Sequence, residues 1–228
     1  MNQQAGAPEV AHVSHGPGLD SAAVEDSDEA KLHGVRRRAL FLDRDGVINV
    51  NHGYVHSPGQ TQWVPGIFEL CLAAHAAGFL LVVITNQAGI ARGHYTEQTF
   101  RDYTHWMHGQ FEARGAPLAA TYYCPHHPTA GLGVAMIECA CRKPKPGMIL
   151  AAAAALELDL AESIMIGDSD SDVLAAAAAG VGKAFLLVHE ESAGRSSGVG
   201  HEVHSLLQLG QALGWHAPSV ANSQGGAR

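Results

Sequence analysis

Aromatic residues are scarce, at 6% of 228 positions, although hydrophobic residues reach 46%. A core of that composition must be built mostly from aliphatic side chains and alanine. Positive charge is short as well: 14 Lys and Arg stand against 22 Asp and Glu, a formal net charge of −8. A nucleic-acid backbone needs a positive surface, so nucleic acid is not an expected partner. An anionic small molecule remains open if the few cations gather at one place. No apolar run is long enough for a membrane span, and Met1 to Val10 lacks the basic-then-apolar order of a secretory signal. Cysteine is sparse too. Three of the four, Cys124, Cys139 and Cys141, lie close together beside histidines, while Cys71 stands apart on an apolar helical face. Without an export signal, such clustering reads as metal binding rather than disulfides, which places the chain in a reducing cytoplasm.

The length suits one domain with tails, and a monomer is expected. Residues 1–36 are polar and without periodicity, which predicts a disordered tail. The domain is expected over 37–215 and a frayed tail over 216–228. Apolar runs at Ala39–Leu42, Phe79–Thr85, Thr121–Cys124, Ser163–Gly167 and Lys183–Val188 read as buried strands. Helical segments fall between them, at Ile67–Ala77, Thr96–Arg114, Gly147–Leu158 and Asp172–Ala179, with a last one at Leu206–Leu213. Residues 190–200, rich in Glu, Ser and Gly, predict a surface loop. Alternating strands and helices imply an α/β fold: a Rossmann-like three-layer sandwich around a mainly parallel sheet.

Ligands of such sheets bind beyond the carboxyl ends of the strands. Three strands end in polar groups that suit one chemistry: Asp43-Arg44-Asp45-Gly46, Thr85-Asn86-Gln87, and Gly167-Asp168-Ser169-Asp170-Ser171-Asp172. Brought together, Asp43, Asp45 and Asp168 repel one another. A hard divalent cation relieves that repulsion, and an all-oxygen shell favours Mg²⁺. A carboxylate can also attack phosphorus to form an acyl phosphate, and the charged phosphoryl group then needs cations. Arg142 and Lys143, just before a helix, are candidates. A single strand-end aspartate is often only a helix cap; the ordered set DxDG, TN, lysine, GDxxxD carries the reading.

That set resembles the haloacid dehalogenase (HAD) superfamily of phosphatases. The stretches FLDRDGVINVNHGYVH, TNQAGIARGHYTE, YYCPHHP and CRKPKPGM resemble its histidinol-phosphate and heptose-bisphosphate branch. The resemblance implies Asp43 as nucleophile, Asp45 as acid and then base, Thr85 as phosphoryl ligand and Lys143 as its neutralising cation. It also implies Mg²⁺ held by Asp43, Asp168 and the backbone carbonyl of Asp45. Substrate contacts would come from Asn51, His52, Gly53, Tyr54, Asn86, Gln87 and Arg142, with Arg92 a further candidate. The implied substrate is a sugar phosphate, foremost the 7-phosphate of a heptose bisphosphate; histidinol phosphate is the alternative. Two departures stand out: Val47 replaces the threonine common in the first motif, and Ser169 stands where close relatives carry lysine. A catalytically silent, metal-stabilised binding protein is the reading of another class.

Cys124-Pro125-His126 and Cys139-Ala140-Cys141 form two ligand pairs. Three sulfurs and one imidazole suit tetrahedral Zn²⁺ in a closed, structural site. His127 rivals His126, and the family resemblance favours His126. The chain between the motifs leaves no room for a full cap domain, so an open site is expected, with the zinc loop (124–141) beside it.

Overall fold

The computed structural model describes residues 11–14, 36–189 and 200–215. Seven strands form one sheet: β1 (Ala11–Ser14), β2 (Arg38–Leu42), β3 (Phe79–Asn86), β4 (Leu118–Cys124), β5 (Ile164–Gly167), β6 (Lys183–Leu187) and β7 (His201–Val203). Their spatial order is β1-β4-β3-β2-β5-β6-β7. All neighbours are parallel except β1, which runs antiparallel to β4. The helices are α1 (Ile67–Ala76), α2 (Ala88–Ala91), α3 (Glu97–Glu112), α4 (Gly147–Leu156), α5 (Asp170–Ala179) and α6 (Leu206–Ala212).

The central strand shows why the sheet is covered on both sides. Its residues alternate in direction. Leu40 and Leu42 face one layer, where α1, α3 and α6 contribute Ile67, Leu70, Met107, Phe111, Leu206 and Leu209. Ala39 and Phe41 face the other, where α4 and α5 contribute Met148, Ile149, Ala152, Ala175 and Ala176. A strand buried on both faces must be apolar throughout, which explains its unbroken run. The alanine runs 151–155 and 175–179 let α4 and α5 approach the sheet closely. Cys71, fully buried among the α1 contacts, is a core residue.

The α/β, mainly parallel three-layer architecture expected from the sequence is the one observed, with boundary differences that have local causes. Ala11–Ser14 pair with Ala120–Tyr123 of β4, so the expectation of disorder does not hold for these four residues. Residues 1–10 and 15–35 lie outside the described residues, as do 190–199, most of the expected surface loop, and the expected tail 216–228. β4 begins at Leu118, earlier than its aromatic run suggests, because Leu118 and Ala120 pair along β3. β7 follows directly after the undescribed stretch and was not expected; two of its three residues are exposed. α5 begins at Asp170 rather than Asp172, since Ser169 takes the N-cap position and bonds Asp172. Among the described residues the segments between strands hold only these helices, loops and two 3-10 turns, and none forms a separate cap. No helix among them is long and apolar enough to cross a membrane.

α3 starts where Thr96 Oγ1 accepts the Thr99 amide at 3.0 Å. Loss of one N-cap bond costs about 1 kcal/mol. Thr96→Ala should therefore lower the unfolding free energy by about that amount, read by urea titration, with little change at the site described next.

Candidate active site

The loops that leave the carboxyl ends of β2, β3 and β5 meet over the middle of the sheet. β2 delivers Asp43 and Asp45, β3 ends in Thr85 and Asn86 with Gln87 directly after it, and β5 delivers Asp168. Lys143 arrives from the segment between β4 and α4 and is buried. Its ammonium lies 2.9 Å from Asp43 Oδ1 and 2.5 Å from Asp172 Oδ1. It also donates to the Ile84 carbonyl at 2.8 Å. An ammonium has three donors, so the geometry uses all of them. Asp43 Oδ1 further accepts the Arg44 amide at 2.7 Å.

Carboxylate oxygens of Asp43, Asp168 and Asp172 fall within 4.8 Å of one another. Asp172 is already engaged: Oδ1 faces Lys143, and Oδ2 accepts from the amide and hydroxyl of Ser169 at 3.1 and 2.6 Å. Asp43 and Asp168 are therefore the carboxylates best placed to hold a hard cation. Asp168 packs against Gly46, which has φ +90°. A Cβ there would sit 1.9 Å from Asp168 Oδ2, so both backbone conformation and space require glycine.

Asp45 turns its carboxylate away from that trio. Arg44 Nη2 binds its two oxygens at 3.0 and 2.7 Å, Asn49 Nδ2 binds Oδ1 at 3.0 Å and Gln87 Nε2 binds Oδ2 at 3.2 Å. Gln87 Nε2 also reaches Thr85 Oγ1 at 2.8 Å, while its Oε1 accepts from Tyr95 at 2.5 Å. Arg44, Asp172 and Tyr95 were not assigned roles from the sequence. A charged residue inside an apolar strand end pointed to Arg44, and the last position of GDxxxD pointed to Asp172. Tyr95 carries no comparable signal.

A cavity of about 370 Å³ opens over the site, lined by Asp43, Asp45, Thr85, Asp168, Tyr54 and Gln87 among others. Asn51, Gly53 and Asn86 also line it, whereas His52 and Arg142 do not. His52 bonds Gln62 at 3.3 Å, and Arg142 donates to the His126 carbonyl at 3.2 Å. The side-chain polar atoms of Asn86 and Gln87, expected to meet substrate, are taken up by protein partners. At the rim, Arg92 donates to Tyr54 Oη at 2.6 Å.

The second cluster gathers Cys124, His126, Cys139 and Cys141, with ligand atoms again within 4.8 Å. Sγ–Sγ separations are 3.5 and 3.1 Å, and His126 Nδ1 lies 3.8 and 3.4 Å from Cys124 and Cys141. Tetrahedral bonds of ~2.3 Å place sulfurs about 3.8 Å apart, so the four groups fit such an ion. His127 points elsewhere: its Nδ1 accepts the Thr129 and Ala130 amides, and its Nε2 faces Arg92. The geometry thus favours His126 over its neighbour.

Residues 140–202, which carry Lys143, Asp168 and Asp172, match a HAD-hydrolase-like family model. A structure described as a HAD-like phosphatase from Mesorhizobium loti is 32% identical, with a TM-score of 0.69. The match covers 78% of this chain and 85% of that one. The chain belongs to the HAD-like family. A D,D-heptose 1,7-bisphosphate phosphatase from B. bronchiseptica, solved with magnesium and phosphate, matches this HAD-like chain at 30% identity and TM-score 0.66. That match covers 77% of this chain and 97% of the other. The D-glycero-beta-D-manno-heptose-1,7-bisphosphate 7-phosphatase of Vibrio cholerae is 51% identical over 106 residues, 46% of this chain and 57% of that protein. The alpha-anomer enzyme of Burkholderia mallei is 50% identical over 110 residues, 48% and 58% of the two chains. In these matches the chain spans less than three fifths of the length of its curated relatives.

Burial raises the Asp43 carboxyl to about 8; Lys143 opposes the rise, and Asp172 and Asp168 add to it. Burial and Asp172 raise Asp168 to about 7. Burial works against the charged Lys143, but Asp172 and Asp43 outweigh it and hold the ammonium above its ordinary value. Between pH ~4 and ~8 the folded chain therefore binds protons that the unfolded chain has released, so stability falls as pH rises through that window. A hard divalent cation takes the place of those protons. Without added divalent cation, Tm should fall from about pH 6 to about pH 8, and the fall should be shallower in Asp43→Asn. Added Mg²⁺ should raise Tm more at the higher pH. A cation effect of equal size at both pH values contradicts this account.

Proposed function

We propose that the chain is a magnesium-dependent phosphomonoester hydrolase that works through an aspartyl-phosphate on Asp43. The observation that carries the proposal is the buried Lys143 ammonium held between Asp43 and Asp172 at the floor of an open cavity. Mg²⁺ would be held by Asp43, Asp168 and the Asp45 carbonyl, and when bound it supplies positive charge to the phosphoryl oxygens.

In the first step a free Asp43 oxygen attacks phosphorus, and the bond from phosphorus to the sugar oxygen breaks. Asp45 gives its proton to that leaving oxygen. In the second step Asp45 takes a proton from water, the water oxygen attacks phosphorus, and the acyl phosphate bond breaks to release inorganic phosphate and free Asp43. Lys143 offsets the charge on the attacked group, and Thr85 Oγ1, aligned by Gln87, binds a phosphoryl oxygen. Asp45 must leave its bonds to Arg44 and Gln87 far enough to carry the proton.

The substrate proposed is D-glycero-D-manno-heptose 1,7-bisphosphate, cleaved at the 7-phosphate, as the names of the curated relatives indicate. The polar cavity with Asn51, Gly53 and Tyr54 suits a hydroxylated sugar. A reducing, cytoplasmic setting agrees with four unpaired cysteines. With Mg²⁺ the chain should release phosphate faster from the heptose bisphosphate than from histidinol phosphate. Both anomers belong in the assay, because relatives of each kind match. Asp43→Asn should remove at least ~10³-fold of the turnover, a large part of the barrier reduction assigned to the nucleophile. Equal inactivity of wild type and Asp43→Asn on every sugar phosphate would instead favour the silent binding protein.

We propose Zn²⁺ for the cysteine cluster. In the metal-free form, hydrogen bonding to Cys124 and burial hold the Cys141 thiol above its ordinary value. A bound cation would reverse that. Cys141 directly precedes Arg142 and Lys143, so the ion would anchor the segment that carries the catalytic cation. Cys139→Ala should lose bound zinc by elemental analysis and melt at lower temperature with reduced turnover. Unchanged zinc content or unchanged melting rules out this role.

A further inference from the structure

Lys143 is buried at the start of a loop-to-helix segment, and a buried peptide group must find partners for both its N–H and its C=O. Neither is supplied by a neighbouring strand. Both are supplied by one side chain: Asn86 Oδ1 accepts the Lys143 amide at 3.0 Å, and Asn86 Nδ2 donates to the Lys143 carbonyl at 3.1 Å. The carboxamide thus pairs with the peptide unit of Lys143 as a strand rung would, across 57 positions of sequence. The same lysine sends its ammonium to the Ile84 carbonyl, two residues before Asn86 on β3. Backbone and head group of Lys143 are therefore both referenced to the end of one rigid central strand. That strand also presents Thr85, between the two anchoring points.

From this geometry we infer that Asn86 is a positioning residue, which sets the place of Lys143 and makes no substrate contact of its own. The inference rests on the phosphatase reading for its kinetic consequence. Its structural consequence stands apart from that reading. An asparagine that contacted the sugar would need a free donor or acceptor aimed into the cavity; here each polar atom of the carboxamide is bonded to the peptide unit it clamps. The side chain lines the cavity wall while facing the lysine segment behind it.

The test compares Asn86→Ala and Asn86→Asp with wild type, on p-nitrophenyl phosphate and on heptose bisphosphate. The small ester has a phosphoryl group but no sugar. A misplaced Lys143 should cost up to ~10²-fold in kcat on both substrates by the same factor, with KM changed little. Asn86→Asp keeps the Oδ1 acceptor and loses the donor, so it should fall between wild type and Asn86→Ala. In a Lys143→Ala background, Asn86→Ala should have no further effect on kcat, since both act through one group. A loss confined to the sugar phosphate, seen as raised KM, overturns the inference. So does a crystal structure of either Asn86 variant that keeps the lysine head group on both Asp43 and the Ile84 carbonyl. Inactive wild-type protein would count against the phosphatase reading, and the crystallographic comparison would then decide this inference alone.

Discussion

A buried ammonium between two buried carboxylates is the contact on which the rest of the site depends. Taking three charges out of water is costly, and removing one partner would leave the others unpaired. The arrangement holds because every donor of Lys143 is used and because its carboxylates are bonded a second time, Asp43 to the Arg44 amide and Asp172 to Ser169. One positive charge does not neutralise Asp43, Asp168 and Asp172 together. The rise in the Asp43 and Asp168 values measures what is left over. That surplus of negative charge is what a hard cation answers.

Each member of the group comes from a different part of the chain, and the fold brings them to one point by a single rule: loops at the carboxyl ends of adjacent parallel strands converge. β2 is central, β3 and β5 flank it, and each delivers one part of the chemistry. Lys143 alone is not at a strand end. It needs other anchors, and the structure supplies two kinds: the cysteine cluster immediately before it, and Asn86 beside it. This division explains why a loop rich in metal ligands lies next to a phosphate site without taking part in the reaction.

Much of this was legible in the residues. Unbroken apolar runs ending in aspartate fixed β2 and β5, because a strand covered on both faces has no polar positions to alternate. The acidic trio, Lys143 and the Cys3His cluster were all visible as types and spacings. The edge of the sheet was not. β1 and β7 are short and gain their structure from pairing with β4 and β6, which no local pattern announces. Nor could spacing tell a side chain that meets the ligand from one that holds its neighbour. Asn86 and Gln87 sit beside Thr85 in sequence, and adjacency suggested substrate contact. Their bonding partners are 57 and 42 positions away, at Lys143 and Asp45, and only the fold reveals them.

That distinction bears on where selectivity resides. The inner wall of the cavity is occupied with itself: Gln87 is bound by Tyr95 and Thr85, Asn86 by Lys143, and Asp45 by Arg44 and Asn49. Breaking any of these bonds to greet a substrate would expose a buried polar group to loss. Such a wall can recognise a phosphoryl group, which brings its own charge, but it is poorly equipped to read a sugar. Reading must fall to the outer turn Asn51–Tyr54 and to Arg92, which meets Tyr54 from the opposite side of the opening. Arg92 and Tyr54 are among the more exposed residues there, and an exposed hydrogen bond is readily exchanged for one to a ligand. A rigid interior that performs one reaction and a compliant rim that chooses the molecule follow from the same accounting of donors and acceptors.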